Sequence, residues 1–242
     1  MIFETKTTAK NKVLYSINVA YFALAFIQIV AELLDYNNTA LSIRIILPLL
    51  LLALYHINSI IKNILFYIVM GLLLISNILF FYINMKLFFY GIIAFILLRI
   101  ITLVIVFKLT EDKNYLHIVV ASFPFLVIFF YLISATNEIS EYEFNLLILQ
   151  SVLISLLGGI SIVNYFKNDN RQNSWLLIST LLFVGLRFIV FIERYFSSNL
   201  TLAIYRPIEI ILSVFAFYTF YKYVIAAESK ENKNFITNSD ES

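Results

Sequence analysis

Eight charged side chains stand within or at the ends of long apolar runs: Arg44, Arg99, Arg187, Arg194 and Arg206, with Glu32, Glu193 and Glu209. All the bases in this set are arginine, whose planar fork of N–H donors grips phosphate and carboxylate bidentately. Five arginines against three glutamates leave an internal excess of two positive charges, so the chemistry in view is anion recognition. Arg99 and Arg187 fall near the middles of their runs, where a charge costs roughly 2.5–3.5 kcal/mol on insertion scales and calls for a partner or a wet cavity. Arg206 and Glu209 are three residues apart and share a helix face, and Pro207 between them frees a carbonyl of the preceding turn. Arg44, Arg194, Glu32 and Glu193 lie close enough to the ends to snorkel into headgroups. His56 and His117 have no further ligand at metal-binding spacing. With no cysteine in the chain, thiol chemistry and Cys-ligated metals are excluded, and neither a metal nor a cofactor is expected.

These residues need elements long enough to hold them in a membrane. The 242-residue chain is 62% hydrophobic and 13% charged, against roughly 45–50% and 25% in ordinary soluble domains. Its apolar runs are about 20 residues long, the length a helix needs to cross ~30 Å of hydrocarbon. The expected fold is an all-α integral membrane protein, an eight-helix transmembrane bundle with spans at 13–34, 41–61, 64–84, 87–108, 116–135, 144–166, 175–196 and 201–224. A tail over residues 1–12 precedes this membrane domain (13–224), and a polar, disordered tail is expected over 225–242. The second span is the weakest, because Arg44 and His56 interrupt it. The first is read as a retained anchor, since it lacks a small-residue cleavage site.

Basic residues favour cytoplasmic loops. Lys6, Lys10, Lys12, Lys62, Lys108, Lys113, Lys167, Arg171, Lys222, Lys230 and Lys233 collect on one side, whereas Lys86 and the acids Glu138, Glu141 and Glu143 fall on the other. Both termini are therefore expected to be cytoplasmic. Tyrosines including Tyr15, Tyr36, Tyr82, Tyr115, Tyr142, Tyr195 and Tyr223 cluster near span ends as interfacial belts. A formal charge of +2 gives no sign of a nucleic-acid partner.

At a helical rise of ~1.5 Å per residue, Asn77, Arg187 and Glu209 lie about 10, 13 and 12 Å from the non-cytoplasmic face, Arg99 about a turn deeper and Arg206 at roughly 8 Å. They form one polar layer. Sliding the chain on itself by 110 residues superimposes Asn77 on Arg187 and Arg99 on Glu209. A four-plus-four internal repeat with parallel halves is the expectation that follows.

Several short segments carry a resemblance: Met70-Gly71-Leu72-Leu73-Leu74-Ile75-Ser76-Asn77, Phe89-Tyr90-Gly91-Ile92-Ile93-Ala94-Phe95, Leu181-Leu182-Phe183-Val184 and Tyr205-Arg206-Pro207-Ile208-Glu209, with Pro48 in the second span. In these the chain resembles the YhhN or lysoplasmalogenase-like family of multi-pass membrane proteins. The resemblance implies a hydrolase that cleaves the vinyl-ether bond of lysoplasmalogens. The departures bear directly on that activity. Ser76-Asn77 replaces the family's Gly-Asp, Arg99 its histidine, Leu186-Arg187 its Ser-Asp, and Glu209 its glutamine. Vinyl-ether hydrolysis starts with protonation of carbon by an acid of usable pKa, which neither asparagine nor arginine supplies. Glu209, the one deep carboxyl left, is expected ionised and paired.

The leading expectation is thus a bacterial-type inner-membrane protein in which an arginine-rich pocket takes an anionic, lysolipid-like amphiphile. Arg99, Arg187 and Arg206 would bind the headgroup, Asn77 would hydrogen-bond it, and Glu209 would orient Arg206. The membrane lipid is the expected partner, and the oligomeric state is not readable. The alternatives are an ether-lipid hydrolase with rearranged catalytic groups centred on Glu209, and a small transporter built on the repeat.

Overall fold

The structure, a computed structural model, describes residues 2–81, 85–110, 114–136, 141–196 and 202–240. Tyr82, Lys113 and Glu138, assigned above to belts and loops, lie outside the described residues. The described chain is helical: α1 (Ile2–Leu33), α2 (Asn37–Asn58), α3 (Ile64–Phe81), α4 (Met85–Leu109), α5 (Tyr115–Ser134), α6 (Glu141–Lys167), α7 (Arg171–Phe196) and α8 (Leu202–Asp240). All eight are long and apolar enough to cross a membrane, which makes the chain a multi-pass integral membrane protein. The interrupted second span is helical throughout, and Pro48 is accommodated inside it. Its polar side chains do not break it, because a helix satisfies its own backbone groups wherever it lies in lipid.

The helices group into two compact units, one of residues Met1–Ala94 and Val224–Ser242, the other of Phe95–Tyr223. The division falls within α4 and within α8, away from the α4–α5 connection where a four-plus-four repeat would be cut.

In the first unit α1 and α2 are joined by a Schellman turn. Tyr36 N–H donates to the Ala31 carbonyl at 2.8 Å and Asp35 N–H to that of Glu32 at 3.2 Å. Asp35 takes the left-handed conformation (φ 56°) that this motif requires at its C′ position. The α2–α3 connection is as tight. Lys62 is again left-handed (φ 56°), and Asn63 caps α3 by accepting from Leu65 N–H at 3.0 Å.

In the second unit small residues set the helix spacing, as expected where lipid offers no hydrophobic drive. A Cβ on Gly158 would come within 2.8 Å of the Phe125 ring, and one on Gly159 within 2.5 Å of the Ile118 carbonyl oxygen, so α5 and α6 touch backbone to backbone there. Ile133, Leu147 and Phe191 join α5, α6 and α7 in one buried cluster. Between α7 and α8, the Ser179 hydroxyl donates to the Ala216 carbonyl at 3.1 Å, and Phe183 meets Phe217 edge-on at 5.0 Å.

The helix α8 does not stop at 224, where the membrane domain was expected to give way to a disordered tail. It is 39 residues long, about 58 Å at ~1.5 Å per residue, and Ala227 and Glu228 are buried. The first residues of the expected tail are packed helix.

Candidate functional site

Three of the five intramembrane arginines are neutralised locally, at the margins. Arg44 pairs with Glu32 of α1 at 3.8 Å. Arg194 pairs with Glu143 of α6 at 2.6 Å, both about one-third exposed. Arg206 pairs with Glu193 of α7 at 3.7 Å and is itself exposed. Arg206 thus reaches across to α7, to a residue whose number gave no hint of proximity. Asn77 is occupied too. Its amide donates to the Arg44 carbonyl at 3.1 Å, bracing α3 on α2 within the first unit.

Arg99 and Arg187 are different. Arg99 is 5% exposed. Its guanidinium lies over the Phe183 ring of α7 at 4.2 Å and the Phe95 ring of its own helix at 5.0 Å, two cation–π contacts of the kind that strengthen when desolvated. Its Nη1 makes no hydrogen bond. Arg187 stands one turn beyond Phe183 on α7, and its Nε and Nη2 are buried with no partner. Those two nitrogens form the side-on edge of a guanidinium, the pair of parallel donors that fits two oxygens of one oxyanion. Through Phe183, Arg99 reaches the helix that carries Arg187. Among the described residues neither makes an ion pair.

The α7–α8 contacts give the level of the remaining candidate. Ser179 meets Ala216, and a Cβ on Gly185 would touch Leu212 at 3.8 Å. The helices run antiparallel, so Arg187 comes level with residues 208–210 of α8. The half-buried Glu209 therefore shares the depth of Arg187, yet Arg187 does not pair with it. The second unit thus sets Arg99 on Phe183, one turn from Arg187 along α7, with Glu209 level with Arg187 and Arg206 paired to Glu193 of α7. What this arrangement can do chemically is hold a concentrated, donor-rich positive charge in a dry setting. Neither guanidinium is a proton donor suited to protonating carbon.

A second polar cluster, absent from the sequence reading, lies in the first unit. The Tyr55 hydroxyl donates to Glu228 Oε1 at 2.5 Å, and the Ser59 hydroxyl to Glu228 Oε2 at 2.7 Å. Asn63 N–H donates to the Tyr55 oxygen at 2.7 Å, and Lys62 N–H to the Ser59 oxygen at 2.8 Å. Glu228 is 3% exposed and Tyr55 fully buried. The carboxyl group clasps the α2–α3 turn to α8, and every oxygen in the cluster has a partner, which marks it as structural. The signals available were the four-residue spacing of Tyr55 and Ser59 and the helical spacing of Tyr221, Val224 and Glu228.

No protein-family model, curated protein or solved structure matches the chain.

Proposed function

We propose that this integral membrane protein binds an anionic, lysolipid-like amphiphile through Arg99 and Arg187, on a YhhN-type scaffold that no longer runs the family's vinyl-ether hydrolysis. The observation that carries this reading is the pair of buried guanidinium groups with unused donors. Buried donors left unmatched cost about 1–3 kcal/mol each, and two like charges held together in lipid add to that. A ligand anion removes both penalties, whereas a purely structural role would have supplied a carboxylate. Arg206 and Glu209 contribute at the rim. Asn77, committed to the Arg44 carbonyl, acts by holding α2 and α3. The segments that resemble the lysoplasmalogenase-like family and the offset of 110 residues support a four-plus-four bundle, and the one-sided basic loops support a bacterial inner membrane with both termini cytoplasmic.

The test is native mass spectrometry of protein purified in mild detergent. Wild type is expected to retain anionic lipid, and Arg99→Gln with Arg187→Gln to lose it. Unchanged lipid retention in the double variant refutes the reading.

A further inference from the structure

Five buried hydroxyl groups in the second unit follow one habit. Thr102, Thr110, Ser122, Ser151 and Thr219 are buried and each donates to the carbonyl four residues back, at 2.7–2.9 Å, the usual resort of a hydroxyl inside a helix. Ser155 of α6 and Thr180 of α7 break the habit, since the Ser155 hydroxyl also lacks a partner, and Thr180 is the one on the helix of Arg187. It is 1% exposed and its Oγ1 has no partner. It lies seven residues from Arg187 and three from Phe183, so all three project from one face of α7, and Phe183 carries the Arg99 guanidinium. The α6–α7 contacts extend the level sideways. Asn173 bonds the Asn164 carbonyl and Phe191 packs with Leu147, so the buried amide of Gln150 comes level with Arg187.

From this juxtaposition we infer that the second unit recognises a phosphomonoester, through the Arg187 fork, Arg99 Nη1 and the Thr180 hydroxyl. This rests on the anion-binding reading above and narrows it. Two guanidinium charges with no acid partner among the described residues match a group carrying about −1.5 to −2 near neutral pH, with three acceptor oxygens. A carboxylate or a phosphodiester carries one charge and leaves half of the site unbalanced. Side-on, the Arg187 fork takes two oxygens, and Arg99 Nη1 and Thr180 remain for the third and for the ester oxygen. The phosphomonoester can belong to a lipid headgroup or be inorganic phosphate.

The experiment measures binding of oleoyl lysophosphatidate, oleoyl lysophosphatidylglycerol, oleate and inorganic phosphate to the full chain in maltoside micelles. Lysophosphatidate is expected to bind at least ~10-fold tighter than either monoanionic amphiphile, the scale of one added charge-assisted hydrogen bond. Displacement of lysophosphatidate by millimolar phosphate assigns the site to free phosphate, and its failure assigns it to the lipid; both support the inference. Arg187→Lys keeps the charge but not the fork, and Thr180→Val keeps the volume but not the hydroxyl. Thr180→Val is expected to reduce the preference for lysophosphatidate about fivefold or more while oleate affinity holds, and Arg187→Lys to weaken both amphiphiles, because carboxylate and phosphate alike use the fork. Equal affinity of the wild type for the three amphiphiles overturns the phosphomonoester assignment and leaves the anionic-amphiphile reading standing. Binding indifferent to both arginines overturns both. The wild-type preference is decisive even if a variant fails to fold.

Discussion

Replacing Tyr55 by Phe and Glu228 by Leu, singly and together, isolates the clasp between the α2–α3 turn and α8 at Glu228. The Tyr55 hydroxyl reaches Glu228 Oε1 at 2.5 Å, the length of a hydrogen bond to a carboxylate, a class that contributes about 1.5–3 kcal/mol. Tyr55→Phe also strips Asn63 N–H of its acceptor, about 1–3 kcal/mol more, but that loss occurs in the single and the double variant alike and cancels in the cycle. The expected coupling energy is therefore about 2 kcal/mol. At roughly 2–4 °C per kcal/mol for a chain of this size, the double variant should melt some 4–8 °C above the additive expectation. Thermal unfolding in detergent followed by far-ultraviolet circular dichroism measures this, with denaturant titration for the free energies. A coupling energy below about 0.5 kcal/mol, the scatter of independent sites, would refute the clasp.

Gly159→Ala should destabilise by about 1–3 kcal/mol, because the new methyl group meets α5 backbone. Gly71→Ala, with nothing within 4 Å of its new Cβ, should be neutral or stabilising by up to ~1 kcal/mol; parallel melting curves make the comparison, and equal losses would show that the α5–α6 contact is not close. Lys62→Gly should stabilise by up to about 1 kcal/mol by relieving a left-handed side-chain conformation. The exposed Lys62 side chain has little packing to lose, and a lower melting temperature would count against the turn geometry.

The positions of the helices were legible because apolar run length is dictated by the thickness of the hydrocarbon, and the polar loops lie between those runs. The second span shows where this logic weakens. Arg44 reads as an interruption in sequence, yet Glu32 across the α1–α2 turn supplies its counter-charge, and such a partner is invisible without tertiary contacts. The central pair was legible for the complementary reason: Arg99 and Arg187 lie too deep to snorkel, so their cost alone marks them. The sequence does not tell which arginines find acids, and Arg206 with Glu193 follows from the packing of α7 on α8. Glu228 escaped because Ala226-Ala227-Glu228-Ser229-Lys230 has the composition of a solvated tail. Only the continued phase of α8 turns its carboxyl group inward.

The backbone contact of α5 with α6 bears on how the chain is made. These helices are consecutive, separated by a short connection, and their closest approach uses Gly158 and Gly159 against Phe125 and Ile118. Partners so near in sequence pay little loop-closure entropy when they meet, so the hairpin can assemble as soon as α6 leaves the insertion machinery. It then presents a finished wall before α7 emerges. The costly insertion of Arg187 would thereby take place beside protein that already carries the Gln150 amide, and not in open lipid.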